Sequence, residues 1–230
     1  MTRMTISIGV LLFFVAGSFA QQNNMPVEAI IEKHIAACGG AEKLEQLHSL
    51  KLSGIYIYRA QDFAMTMLKT RPHFFRLEID DSDGKQIYIF DGESARAVDA
   101  QSGEKKAIRD ARVRHFVEMM ADFDGALVDY RSKGHQVRLT GTETVEGQPA
   151  HVLEVTLRDS SKEHWFIDAQ SFLLVKRTST FIDDGQQNTQ ALYFMDYQPV
   201  DGFMIPHYFE RNAGHYVYGY EIERVEIKHK

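Results

Sequence analysis

Ten histidines are the side chains here best suited to chemistry near neutral pH, and they stand at positions 34, 48, 73, 115, 135, 151, 164, 207, 215 and 229. Metal centres and acid–base sites draw on tight spacings such as HxH, HExxH or a carboxylate and a histidine on one face. None of these occurs in the sequence. Glu163 and His164 are adjacent, but neighbours on a strand point to opposite faces and cannot cooperate on one atom. There is no GxSxG elbow and no phosphate-cradling glycine loop. Cys38 is the one cysteine, so an internal disulfide or a thiolate metal cluster is excluded, and it reads as a small buried apolar residue on a helix. The expectation is a non-enzymatic protein with no catalytic residue, no metal and no cofactor.

The elements that hold these residues follow from periodicity. "PVEAIIEKHIAACGG" opens on Pro26 and stops at Gly39-Gly40. Val27, Ile30, Ile31, His34, Ile35 and Cys38 form one helical stripe between them. His34 on that stripe reads as a satisfied core histidine rather than a ligand. A short helical piece, "AEKLEQL", follows. From Ser49 the period becomes two: Phe63, Met65 and Met67 share a face, as do Phe75, Leu77 and Ile79. "QIYIFDGESARAV" reads as a hairpin with Asp91-Gly92 at its tip. "AIRDARVRHFVEMMADF" is a helical insert with an incomplete apolar stripe through Ile108, Arg112, His115, Phe116, Met119, Met120 and Phe123.

After Gly125 alternation returns and persists to the end of the chain. Five Asp-Gly dipeptides, led by Asp83, Asp91, Asp124, Asp184 and Asp201, mark tight turns whose residues adopt positive φ. Links this short cannot make parallel crossovers, so the sheet is expected to be antiparallel. "DYQPVDGFMIPHYF" is then a hairpin, with Pro199 and Pro206 at strand ends, bulges or edges because they lack a backbone donor. In the last strand Tyr216, Tyr218, Tyr220 and Ile222 share one parity while Val225 and Ile227 take the other. That switch predicts a bulge or strong twist between Ile222 and Val225.

The first twenty residues, "MTRMTISIGVLLFFVAGSFA", carry an early Arg3, an apolar run and small residues at Ser18 and Ala20. This is the order of a secretory signal cleaved after Ala20; a membrane anchor needs about 20 apolar residues. Residues 21–230 are expected as a single domain. The formal charge of −6 argues against nucleic acid and against electrostatic docking on anionic lipid.

Three stretches carry a family likeness: "IEKHIAACGGAEKLEQLHSLKLSG", the long run "DFDGALVDYRSKGHQVRLTGTETVEGQPAHVLEVTLRDSSKEHWFIDAQSFLLVKR", and "YFMDYQPVDGFMIPHYF" with its VDG turn and Pro-ended strand. In these the chain resembles the LolA-like periplasmic proteins, the outer-membrane lipoprotein-sorting family. The resemblance implies an α+β, mostly β fold: an antiparallel curved half-barrel whose concave apolar face is closed by an N-terminal helix and a helical insert. It also implies a periplasmic carrier of lipoprotein acyl chains or free lipid, without stable membrane insertion and as a monomer. The alternative is a sensor or scaffold of the same fold that binds an envelope protein partner.

Candidates for the apolar ligand wall are Phe63, Met65, Met67, Phe75, Leu77 and Ile79, then Leu153, Val155 and Leu157, then Tyr193 and Met195. Phe116 and Met119 come from the helical insert. Flexible Met and large aromatic rings suit a loosely fitted chain. The competing reading of each is an ordinary dry core residue. The signal reading predicts a mature protein that begins at Gln21 and is released by osmotic shock. N-terminal sequencing of the released protein checks it, and an intact Met1 in the membrane fraction would contradict it.

Overall fold

The computed structural model describes residues 25–82 and 84–230. The expected signal and its cleavage site, and Asp83 of the Asp83-Gly84 pair, lie outside the described residues. Helices α1 (Val27–Ala37) and α2 (Ala41–Gln46) lead into β1 (Leu47–Tyr58), β2 (Gln61–Thr70), β3 (Phe74–Asp81), β4 (Gly84–Phe90), β5 (Ala95–Val98) and β6 (Lys105–Ala107). Helix α3 (Ala111–Ala121) then precedes β7 (Gln136–Val145), β8 (Gln148–Thr156), β9 (Lys162–Asp168), β10 (Leu174–Asp183), β11 (Gln186–Val200), β12 (Phe203–Ala213) and β13 (Tyr216–His229).

The strands form one open, curled antiparallel sheet in the order β6-β5-β4-β3-β2-β1-β13-β12-β11-β10-β9-β8-β7. Two meanders, β1–β6 and β7–β13, are joined where the first strand meets the last. Both α1 and α3 cover one face. Ile30 and Ile31 of α1 pack on Leu153, Val155, Trp165 and Ile167. Phe116, Val117 and Met119 of α3 pack with Met65, Met67, Phe75, Leu77 and Tyr220, and Phe194 touches both groups. The mostly-β α+β half-barrel is therefore the observed architecture.

Tight turns explain the meander. Asp184-Gly185 (φ 48° and 75°), Asp201-Gly202 (51° and 81°) and Glu146-Gly147 (47° and 81°) each put two positive-φ residues between paired strand ends. That is the twist a two-residue hairpin needs. Pro199 sits next to the last residue of β11. Pro206 lies where β12 has run past its pairing with β13, which begins at Tyr208↔Glu221. Neither proline removes a bond from the interior of the sheet.

Several expectations need correction. Asp124-Gly125 is not a hairpin tip: it follows α3, and Gly125 lies where an added Cβ would stand 2.8 Å from the Trp165 ring. Turns occupy residues 126–134, so alternation resumes only at Gln136. Ile108 precedes α3, whose start Asp110 caps by accepting from the Arg112 amide at 2.9 Å, and Phe123 follows the C-cap Asp122. Cys38 lies at the C-cap of α1, half-buried rather than buried, with burial pushing its thiol up to about 11.

The parity switch in the last strand is a bulge. Ser53 pairs with Arg224 and Gly54 with Ile222, which leaves Glu223 as the extra residue. Tyr218, Tyr220 and Ile222 stay buried, and Val225 returns to the same apolar cluster. A Cβ on Gly54 would lie 2.0 Å from the Glu221 carbonyl oxygen and 2.9 Å from the Glu223 amide. Glycine is thus required opposite the bulge by close approach of backbone. Gly54→Ala is expected to destabilise the fold by about 2 kcal/mol or more, as forced overpacking does. Urea denaturation of the variant beside wild type checks this, and an unchanged midpoint would show that the bulge relaxes freely.

Candidate functional site

Helix α3 crosses the covered face and has a cavity on each flank. Its C-terminal end is fixed by three cations. Lys69 donates to the Asp122 and Phe123 carbonyls at 2.8 and 3.3 Å, and Lys133 to Asp122 at 2.9 Å and to the Gly125 carbonyl at 2.7 Å. Arg71 forms a two-bond fork with Asp124 at 2.5 Å while donating to the Leu44 and Leu47 carbonyls. Cations suit the negative end of a helix, and the same contacts tie it to the start of β1.

The first cavity, about 560 Å³, is polar; His115, Glu118, Met119, Glu163, Arg177 and Leu157 are among its walls. Two of its ion pairs, Arg177 with Glu163 and Lys133 with Asp122, are internal. Arg177 donates to Glu163 at 2.5 and 3.0 Å, and the Trp165 indole adds a third bond to Glu163 at 2.8 Å. His115 Nε2 stands 2.8 Å from Ser179 Oγ, with its ring stacked on Phe181. Ser179 itself is only 3 % exposed.

The second cavity, about 440 Å³, lies between α3 and the seam of β1 with β13. Tyr56 and Tyr58 face Tyr220 and Tyr218 across that seam, with Phe63, Leu77, Ile79 and Phe116 opposite. The rings stack in sequence: Phe209 on Tyr220 at 4.4 Å, Tyr220 near Tyr56 at 5.3 Å, and Tyr58 on Tyr218 at 5.1 Å. Two buried or half-buried cations enter this aromatic wall. Arg112 is held by Asp110 at 2.6 Å, whereas Arg211 lies between the Phe116 and Tyr218 rings. Desolvation holds the Tyr56, Tyr88, Tyr218 and Tyr220 phenols above their ordinary range, so they remain neutral donors at physiological pH.

By sequence no family model and no curated protein matches the chain. By structure it superposes on a LolA superfamily protein from Nitrosomonas europaea with a TM-score of 0.59 at 13 % identity, covering 89 % of this chain and 94 % of that one. An outer membrane lipoprotein-sorting protein domain from Vibrio parahaemolyticus gives 0.60 at 11 % identity, with 86 % and 91 % covered. The chain has the LolA-superfamily fold.

Within the LolA-like scaffold the expected ligand residues separate into three groups. Phe63, Leu77, Ile79 and Phe116 border the aromatic cavity, and Met119 and Leu157 border the polar one. Met65, Met67, Phe75, Leu153 and Val155 are packed into the core, none more than 3 % exposed. Tyr193 and Met195 require correction. Leu192 and Phe194 take the helix-covered face, so strand alternation carries Tyr193 and Met195 to the opposite face. There Tyr193 packs with Val152, Phe166 and Val175 under the Lys176 ammonium.

Sequence reasoning passed over the tyrosines of β1 and Arg211, and placed Arg112 only on the stripe of the helical insert. The available signal for Arg211 was its parity: it stands two residues from buried Phe209 and two from buried Ala213, on an inward face. His34 behaves as expected, with its Nδ1 2.9 Å from the Phe172 carbonyl. Among the described residues His207 has only the Ile205 carbonyl, 3.1 Å from its Nδ1. Among the described residues no group of three His, Cys, Asp or Glu side chains could hold a metal ion, and no helix is long and apolar enough to cross a membrane.

Burial lowers His115 from 6.5 to about 4. Between these values the unfolded imidazole binds a proton that the folded one refuses, so stability falls as pH drops from about 6.5 towards 4. His34, also lowered by burial, acts in the same direction and is untouched in a His115 variant. In His115→Gln this acid sensitivity is expected to diminish, so the wild type loses more stability than the variant between pH 7 and pH 4.5. Urea titrations at the two pH values check it; parallel losses would show that His115 does not contribute.

Proposed function

We propose that this protein is an exported, non-enzymatic carrier that holds the apolar chain of a lipid or lipoprotein between its curled sheet and α3. Residues 1–20 act as the signal, residues 21–230 as one lipid-binding domain, and the periplasm is the working compartment. The observation that carries this reading is the cavity of about 440 Å³ beside α3, walled by Phe63, Leu77, Ile79, Phe116 and paired tyrosines. Its size falls within the ~300–1,000 Å³ range of small-molecule sites, and aromatic and aliphatic side chains share its walls with tyrosine hydroxyls and with charged groups such as Asp81, Asp110, Arg112 and Arg211.

Each CH₂ withdrawn from water contributes about 0.8 kcal/mol, so a chain would bind irreversibly if the aqueous phase were the alternative. The alternative for a carrier is a membrane. A cavity about as favourable as bilayer hydrocarbon allows both loading and release. Stacked tyrosines provide this intermediate setting: their rings are apolar and their hydroxyls keep the wall partly wet.

A second reading, a sensor or scaffold for an envelope protein, draws on the edge of the sheet. The ten-residue strand β7 pairs only with β8, so its other side offers a backbone ladder to an added strand.

Displacement of a fluorescent acyl probe separates the two. Wild type is expected to bind the probe, and Phe63→Asp to lose roughly tenfold or more in affinity, because the charge faces an apolar wall. His207→Ala, with no partner beyond a local carbonyl, and Met195→Asp, on the far face, are expected to bind as wild type does. Folded wild type that ignores the probe would remove the carrier reading and leave the edge-strand one.

A further inference from the structure

Arg211 projects from β12 onto the helix-covered face and is 3 % exposed. Its guanidinium lies 4.6 Å from the Phe116 ring and 4.0 Å from that of Tyr218. Nη1 donates to the Arg112 carbonyl at 3.3 Å, and the Tyr220 hydroxyl is within its reach. Nε is sealed from solvent and has no acceptor. Arg177, the other fully buried arginine, has Glu163, and half-buried Arg71, Arg76 and Arg112 have Asp124, Glu78 and Asp110; half-buried Arg96 and Arg114 lack a carboxylate too among the described residues, but neither is sealed from solvent as Arg211 is. Among the described residues no carboxylate stands within ion-pair distance of Arg211.

A guanidinium cannot shed its proton, so burial without an anion leaves a charge that two aromatic faces and one carbonyl compensate only in part. The residue borders the aromatic cavity. The carboxylates on that cavity are engaged elsewhere: Asp110 by Arg112, and Asp81 by Gln86 and Ser82.

We infer that this cavity binds the anionic head of a single-chain amphiphile, a fatty-acid carboxylate, against Arg211. The chain then lies along Phe63, Leu77, Ile79 and Phe116. The inference rests on the carrier reading and gives it a ligand class. One unpaired cation calls for one negative charge. The planar fork of arginine matches the two oxygens of a carboxylate, and neutral phenols of Tyr56 and Tyr220 are placed in the same wall to donate. Arg59, exposed at the β1–β2 turn on the rim of the same cavity, adds a positive approach without being buried itself.

The test compares dodecanoate with its uncharged glycerol monoester by calorimetry at pH 8, where the acid is ionised. Wild type is expected to prefer the acid by about tenfold or more. Arg211→Gln should keep the ester affinity and lose the preference, and Arg211→Lys, which retains the charge but not the fork, should keep part of it. The wild-type comparison decides even if Arg211→Gln fails to fold. Equal binding of acid and ester by wild type overturns the inference and leaves the carrier reading intact; binding of neither removes both. A monoacyl phosphatidylglycerol bound more tightly than the ester, with dodecanoate no better than the ester, overturns the carboxylate assignment in favour of a phosphodiester head.

Discussion

The pairing of β1 with β13 is the constraint on which the other features rest. Each meander is local in sequence, and links of two to six residues bring its neighbouring strands together cheaply. The seam is different: it joins Leu47 to His229 and Tyr58 to Tyr218, residues from opposite ends of the folded chain. Without it there would be two open sheets, each with one more unprotected edge. The seam also has the most demanding backbone fit, since Glu223 bulges out opposite a glycine whose hydrogen is all that the Glu221 carbonyl tolerates. The aromatic cavity wall exists only because of this pairing. Tyr56 and Tyr58 come from one end of the chain, and Tyr216, Tyr218 and Tyr220 from the other.

Helix α3 lies across the two halves, against β3, β4 and β5 on one side and β10 on the other. Its fastening is uneven. Lys69, Arg71 and Lys133 converge on residues 122–125 after its last turn, while near its first turn the guanidinium of Arg211 reaches the Arg112 carbonyl. The two flanking cavities differ in the same sense. On the His115 and Met119 side, Glu163, Arg177 and Trp165 satisfy one another, and a closed network of this kind stiffens the structure. On the Phe116 side, hydrogen-bonding capacity is left over.

Most of the fold was legible because alternation and turn chemistry agree along the chain. Asp-Gly or Glu-Gly pairs mark three of the two-residue turns, and the switch of parity from Ile222 to Val225 located the bulge at Glu223. What failed did so for identifiable reasons. Tyr193 and Met195 were placed by hydrophobicity alone, yet β11 is covered on both faces, so its apolar residues do not reveal which way they point. Asp124-Gly125 follows the dipeptide rule for a hairpin but is claimed by a tertiary contact, the Arg71 fork. Arg59 and Ala60 form the β1–β2 turn at φ 51° and 58°, where neither residue type signals a positive φ. The candidate site was the least legible part. Arg211 matters for what surrounds it, and a missing partner is a property of the packed structure.

The distribution of the apolar residues also bears on how much a carrier of this construction can hold. Met65, Met67 and Phe75 fill the centre of the covered face and pack with Phe116 and Val117 of α3. Opening that centre for bulky cargo would expose several fully buried side chains, each worth about 1.5–3 kcal/mol of burial. The open space instead sits to one side, where Phe63, Tyr56, Tyr58 and Tyr216 are only partly buried. Cargo that enters there displaces water rather than core. A slender ligand with one polar end fits such a cavity at little cost to the fold, and the polar end meets a wall that already contains an uncompensated charge. On the proposed carrier reading, aromatic walls alone would accept any apolar chain, and the guanidinium between Phe116 and Tyr218 would make the head of that chain matter.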